Sequence, residues 1–210
     1  SHGKTTVSAM LSHILIAAGR NPGYLVGGAV PGRDVPATAG DGGVLVTEVD
    51  ESDGTQAGMR SSHAIVTNVE DDHCWSLGGE AKLYDCFRTF AEGSDFVLAW
   101  DSPKTRELFG GHADVQFLAA ADIPAALELP VAGEHNRINA ALAVSMASKL
   151  GVARGVGVEA MRTFRSVDRR MSIRFEGANA VVVEDYAHHP TEVRATLAAL
   201  REQYPGRPLH

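Results

Sequence analysis

Several things are scarce in this 210-residue chain, and each scarcity narrows what it can be. There are two cysteines, Cys74 and Cys86, in no metal-type spacing, which leaves out a disulfide framework and a thiolate zinc site and fits a reducing compartment, the cytoplasm. No apolar run approaches the ~18 residues of a membrane helix, and Ser1 to Gly19 has neither a basic leader region nor a cleavage site. Internal repeats and low-complexity tracts are missing, so solenoids and fibrous classes drop out. Positive charge is short as well: 19 Lys and Arg face 26 Asp and Glu, a net charge of −7 that argues against a general grip on nucleic acid. A small anionic ligand is a separate case, because a few directed donors and a metal hold it locally.

What is present reads as an alternation. Apolar residues at helical spacing from Val7 to Gly19 predict a first helix, and the short apolar Tyr24 to Val26 leads into a Gly- and Pro-rich loop. Strand-length apolar runs follow at Val44 to Val49, Ala64 to Thr67, Asp95 to Ala99 and Val115 to Leu118, with helical patterns at Gly79 to Phe90 and Lys104 to Phe109 between them. Such alternation predicts an α/β fold, a mostly parallel sheet with helices on both faces. Ala119 to Leu129 carries no clear pattern; helices are predicted from Arg137 to Leu150 and from Gly155 to Phe164. Around Arg165 to Arg174 the pattern changes, with four arginines in mixed polarity, and a domain boundary is predicted there, giving residues 1–168 and 169–210. A strand at Ala180 to Glu184, a polar loop and a helix from Thr191 would open a second α/β domain.

The first six residues, Ser1-His2-Gly3-Lys4-Thr5-Thr6, read as the end of a phosphate-binding loop. In such a loop backbone amides wrap a polyphosphate, a lysine reaches the outer phosphates and a hydroxyl ligates magnesium. The helix behind it puts orphan amides and the positive dipole end at Lys4 and Thr5; a plain helix cap, with no ligand, is the other reading of Gly3-Lys4-Thr5. The full pattern G-x-x-x-x-G-K-[ST] asks for a strand and an earlier glycine ahead of Ser1, so the chain is expected to be a piece of a longer polypeptide. Glu48 stands at a strand end where a second magnesium ligand belongs, yet a solvated acidic loop through Asp50, Glu51 and Asp53 is an equal reading. His73 follows another strand and suits either a metal or phosphate contact or a surface ion pair. Asn136 and Asn139 share one helix face and either read an adenine edge or cap the helix. Arg170 is either a phosphoryl-stabilising cation or part of a solvated basic segment, while Asp185 to His189 is dense enough in ionisable groups to favour a site.

These pieces occur together in an order that resembles the Mur ligase family. The matching stretches are SHGKTT (1–6), EVDESDGT (48–55), AIVTNVEDDH (64–73), GEHNRINA (133–140), the Arg169-Arg170 pair and EDYAHHPTEVRATLAALR (184–201). The fold this resemblance implies is a phosphate-loop NTPase-like central domain lacking its first strand, then the opening of a Rossmann-like C-terminal domain. The activity implied is ATP-dependent amide bond formation in peptidoglycan precursor synthesis, through an acyl phosphate, with UDP-N-acetylmuramate and L-alanine as substrates and Mg2+ as cofactor; the fragment alone is expected to be inactive. Position by position, Gly3, Lys4, Thr5 and Thr6 resemble the phosphate loop, with Lys4 the phosphate lysine. Thr5, Glu48 and His73 resemble the magnesium ligands, and Asn136 and Asn139 the adenine side. Arg170 resembles the arginine that reaches the nucleotide phosphates and Asp185 a ribose or hinge contact, whereas His135, Tyr186 and His188 fall on the substrate side. The expected catalytic set is Lys4, Glu48, His73, Arg170 and His188. The stretch from Gly110 to Leu129 is shorter than the family pattern, and Cys74 stands where a leucine is usual. Two other readings remain open: a reduced, non-catalytic nucleotide-binding module, and a related ligase that adds a tripeptide.

Overall fold

The structure is a computed structural model and describes every residue except Asp34 and His73. In chain order the elements are helix α1 (Lys4–Ala17), strands β1 (Gly23–Leu25), β2 (Ala37–Thr38), β3 (Leu45–Thr47) and β4 (Ser61–Val66), and helices α2 (Cys74–Leu77) and α3 (Glu80–Glu92). Then come β5 (Ser94–Trp100), α4 (Pro103–Phe109), β6 (Val115–Leu118), α5 (Glu134–Lys149) and α6 (Arg154–Met161), and finally β7 (Ser172–Glu176), β8 (Val181–Glu184) and α7 (Pro190–Gln203). Packing divides the chain into two compact units, Ser1–Lys4 with Glu48–Ile123, and Thr5–Thr47 with Pro124–His210.

The first unit is built on a parallel sheet of order β4-β5-β6, in which β5 is central and buried at Phe96 through Ala99. Parallel neighbours need a crossover, and α3 and α4 supply it. Helix α3 is amphipathic: Leu83, Phe87 and Ala91, spaced by four, line the core together with Ala64, Val66, Val97 and Ala99. Ser102 starts α4 with a reciprocal capping box, its Oγ accepting from Thr105 N at 3.1 Å while Thr105 Oγ1 accepts from Ser102 N at 3.0 Å. Pro103 sits in the first turn, where its missing N–H costs nothing.

The second unit holds a small sheet of order β2-β1-β3, parallel between β1 and β3 and antiparallel at the β2 edge, and the antiparallel hairpin β7-β8. Its helical core comes from α1, α5 and α6. Val7, Met10, Leu11, Ile14 and Leu15 of α1 are buried, as is the Ala-rich run from Ala140 to Ala147 of α5 apart from the partly exposed Ser145. At Gly157 of α6 a Cβ would stand 3.5 Å from Val144 and 3.6 Å from Ile14, so the three helices meet there. His13 closes the junction, donating from Nε2 to Ala160 O at 3.0 Å and lying edge-on to Phe164.

Three elements differ from expectation. The β2 edge strand lies in the Gly- and Pro-rich loop and is only two residues long, too short for any periodic signal. Helix α2 is a single turn directly after His73. Strand β7 falls in the arginine-rich stretch read as a boundary. Its Ser-Ile-Arg-Phe-Glu alternation is a strand pattern, but both faces stay largely exposed, so no apolar run marks it.

Candidate functional site

The loop Ser1 to Lys4 is stitched to the chain that leaves β4. His2 N donates to Asn68 Oδ1 at 2.8 Å, and His2 O accepts from Thr67 Oγ1 at 2.6 Å and Asn68 Nδ2 at 3.0 Å. Ser1 Oγ bridges the Glu70 backbone, accepting from N at 3.1 Å and donating to O at 3.2 Å. Gly3 has φ +82°, a left-handed turn that glycine adopts without strain, and it delivers the chain into α1. The acid-rich segment after β4 therefore fixes the shape of the loop, a role the sequence does not announce.

Lys4 Nζ, held in this frame, lies 2.6 Å from Glu51 Oε2, 2.8 Å from Ser1 O and 3.3 Å from Asp50 Oδ1. Burial by itself would lower the lysine's pKa; the Glu51 and Asp50 carboxylates outweigh it and hold the ammonium above its ordinary value. Asp50 is pulled the other way. Its partial burial would raise the carboxyl, and the Ser52 hydroxyl at 2.5 Å and the Lys4 ammonium hold it below the carboxylate range. Glu48, three residues before Glu51, is half-buried with its Oε2 out of solvent. Asp53 has a local task, accepting from Thr55 N at 2.9 Å in an Asx-type turn. His73 lies outside the described residues.

Thr5, Thr6 and the remaining candidates belong to the second unit. Asn136 and Asn139 are both buried on the inner side of α5. The helix is capped by Gly133, not by Asn136, whose Nδ2 instead donates back to Ala132 O at 2.8 Å. Gly133 has φ +106°, and a Cβ there would stand 2.7 Å from His135 Cε1 and 2.8 Å from Ala199 Cβ, so α5 begins tight against α7. His135 is half-buried, and its desolvation lowers the pKa; Asp185 pulls the other way and Arg137 adds to the lowering.

Around the hairpin the candidates do converge. Asp185 accepts from Met171 N at 2.8 Å, Ala187 N at 2.8 Å and Thr196 Oγ1 at 3.2 Å, tying the start of β7, the end of β8 and α7 into one knot. A carboxylate offers about four lone-pair sites, and these bonds occupy three of them. Arg169 and Met171 both have positive φ, +61° and +52°, on either side of Arg170. Such paired strain persists where surrounding bonds over-determine it. Here Tyr186 N donates to Arg169 O at 2.8 Å, Met171 N is held by Asp185, and Ser166 Oγ donates to Arg170 O. The guanidinium groups of Arg169 and Arg170 lie 4.9 and 5.2 Å from the Tyr186 ring centroid, and His188 meets that ring edge-on at 5.2 Å. Arg170, Tyr186 and His188 thus form one half-exposed cluster. His189 caps α7, accepting from Thr191 N through Nδ1 at 3.3 Å.

Sequence comparison bears on these groupings. Residues 169–210 match the family described as Mur ligase, glutamate ligase domain. The chain is similar to the Mur ligases, an α/β class whose fold it shares. Within that class it is similar to the UDP-N-acetylmuramate--L-alanine ligase of Arthrobacter sp. (strain FB24), with 37% identity covering 96% of the chain and 49% of the relative. The enzyme of that name from Coxiella burnetii (strain Dugway 5J108-111) is 32% identical over 99% of the chain and 52% of its own length. In three dimensions the chain resembles UDP-N-acetylmuramate-alanine ligase from Thermotoga maritima, with a TM-score of 0.82 and 27% identity, covering 96% of this chain and 52% of that one. The chain spans about half the length of the curated relatives it matches.

Proposed function

We propose that this chain carries the nucleotide-handling part of an ATP-dependent ligase that joins L-alanine to UDP-N-acetylmuramate in peptidoglycan precursor synthesis. The observation that carries the reading is Lys4: an ammonium at a glycine turn and a helix start, fixed in place by the strand-end loop behind it. The names of the relatives supply the substrates. In the proposed reaction the lactyl carboxylate takes the γ-phosphoryl group of ATP and releases ADP. The free amine of L-alanine then attacks the acyl carbon, phosphate leaves with the bonding pair of the C–O bond, and the nitrogen loses its proton as the amide forms.

The residues divide this work. Gly3, Lys4, Thr5 and Thr6 hold the polyphosphate, and Arg170 adds a second cation, which suits a reaction whose charge spreads over phosphoryl oxygens. Thr5 and Glu48 offer hard oxygen donors of the kind Mg2+ prefers, with His73 the further ligand that the resemblance assigns. Bound there, the ion would neutralise phosphate charge. Asn136 and Asn139 serve the adenine side and Asp185 the ribose or hinge contact; His135, Tyr186 and His188 face the muramoyl and amino-acid substrates. ATP as co-substrate, two free cysteines and a chain whose described helices are none long and apolar enough to cross a membrane suit work in the cytoplasm. Phosphate release by the protein as its gene encodes it tests the reading: release requires both UDP-N-acetylmuramate and L-alanine. Release that responds to a tripeptide in place of alanine would move the assignment to the tripeptide-adding relative, and none with either would leave the non-catalytic module.

A further inference from the structure

Lys4 has its three ammonium protons committed among the described residues, to Glu51, Ser1 O and Asp50. A phosphate oxygen can reach Nζ only by replacing one of them. The two carboxylates differ sharply in how replaceable they are, since the Glu51 side chain is 4% exposed and that of Asp50 60%. Losing a cation at 2.6 Å would strip the buried Glu51 carboxylate of the ammonium it is packed against. Asp50 leaves without that penalty, because water and the Ser52 hydroxyl solvate it. Ser1 O is fixed too, since Ser1 is anchored on Asn68 and Glu70.

We infer that Glu51 is a positioning residue for the phosphate lysine: it aims Nζ and keeps its bond when polyphosphate binds, whereas Asp50 is the placeholder that the phosphate displaces. This rests on the reading of Lys4 as a nucleotide ligand given above. The inference sets a sign that simple charge counting does not. Removing a negative charge beside a phosphate site should not weaken anion binding, and that is the outcome expected for Asp50; for Glu51 the loss of aim outweighs the gain.

The test is titration of Mg-ATP, and separately of adenosine, into the protein as its gene encodes it and into three variants. Glu51→Gln is expected to weaken ATP binding by about tenfold or more while leaving adenosine unchanged, and Asp50→Asn not to weaken ATP. ATP affinity equal to or above the parent's in Glu51→Gln, or equal weakening of ATP and adenosine, overturns the inference. Should Glu51→Gln fail to fold, Glu51→Asp keeps the charge and withdraws it by one methylene; intermediate ATP affinity is expected, and parent-like affinity overturns the assignment. Lys4→Ala separates the two layers, because unchanged ATP affinity there removes the nucleotide reading itself.

Discussion

At the scale of single residues, two side chains set measurable limits. Gly133 is required twice over, by its φ of +106° and by the absence of room for a Cβ between His135 and Ala199. Gly133→Ala should therefore cost on the order of 1–3 kcal/mol in urea unfolding, and a cost near zero would show that α5 and α7 are not in fact in close contact there. His13 makes a pH prediction. Burial holds its imidazole below the ordinary value, with the Ala160 carbonyl opposing that shift. The unfolded chain then takes up the proton first, so this residue's stabilisation is complete above about pH 6.5 and falls as pH drops through that value. The urea midpoint should drop between pH 7 and pH 5 by less in His13→Gln than in the parent; equal drops would contradict this. His135 shifts in the same direction and adds to the parent's slope. Of the residues proposed for the phosphate site, Lys4 was marked in sequence by a Gly-Lys-Thr run with a helix behind it. Glu51 was not, because Glu48, Asp50, Glu51 and Asp53 are chemically alike in sequence, and only packing shows which one is buried against the ammonium.

Among the elements, the first unit depends on α3. Phe87 is its largest buried anchor, 6% exposed amid the β4 and β5 side chains, and Phe87→Ala should cost about 3–5 kcal/mol. Ser102→Ala, which removes one half of the α4 capping box, should cost nearer ~1 kcal/mol, and thermal or urea melts of the two variants should rank in that order. Apolar spacing made α1, α3, α4 and α5 readable to within a few residues; α3 buries one stripe, whereas α1 and α5 are buried on most sides. The strands β4, β5 and β6 were readable for a related reason: parallel strands covered by helices become continuous apolar runs. What escaped was the irregular backbone. β7 pairs with β8 through hydrogen bonds that its exposed side chains do not advertise, and the strained Arg169 and Met171 conformations follow from Asp185 and Tyr186 reaching back, a tertiary cause with no local signature.

At the scale of the whole molecule, the relation to UDP-N-acetylmuramate--L-alanine ligases runs over nearly all of the chain. The match with the Arthrobacter relative extends over 230 residues, more than the 210 the chain has, so that relative carries segments this chain does without. The residues proposed to bind nucleotide, the strand-end carboxylates, the Asn136 and Asn139 pair and the hairpin cluster occur in the sequence order that the Mur ligase resemblance implies. The central claim is that ATP-driven ligation depends on the Lys4 ammonium. It is tested most directly by phosphate release from ATP in the presence of UDP-N-acetylmuramate and L-alanine, compared between the protein as its gene encodes it and its Lys4→Ala variant. Release is expected to need both substrates and to fall by about a hundredfold or more in the variant; turnover by Lys4→Ala at the parent's rate would contradict the role given to the lysine.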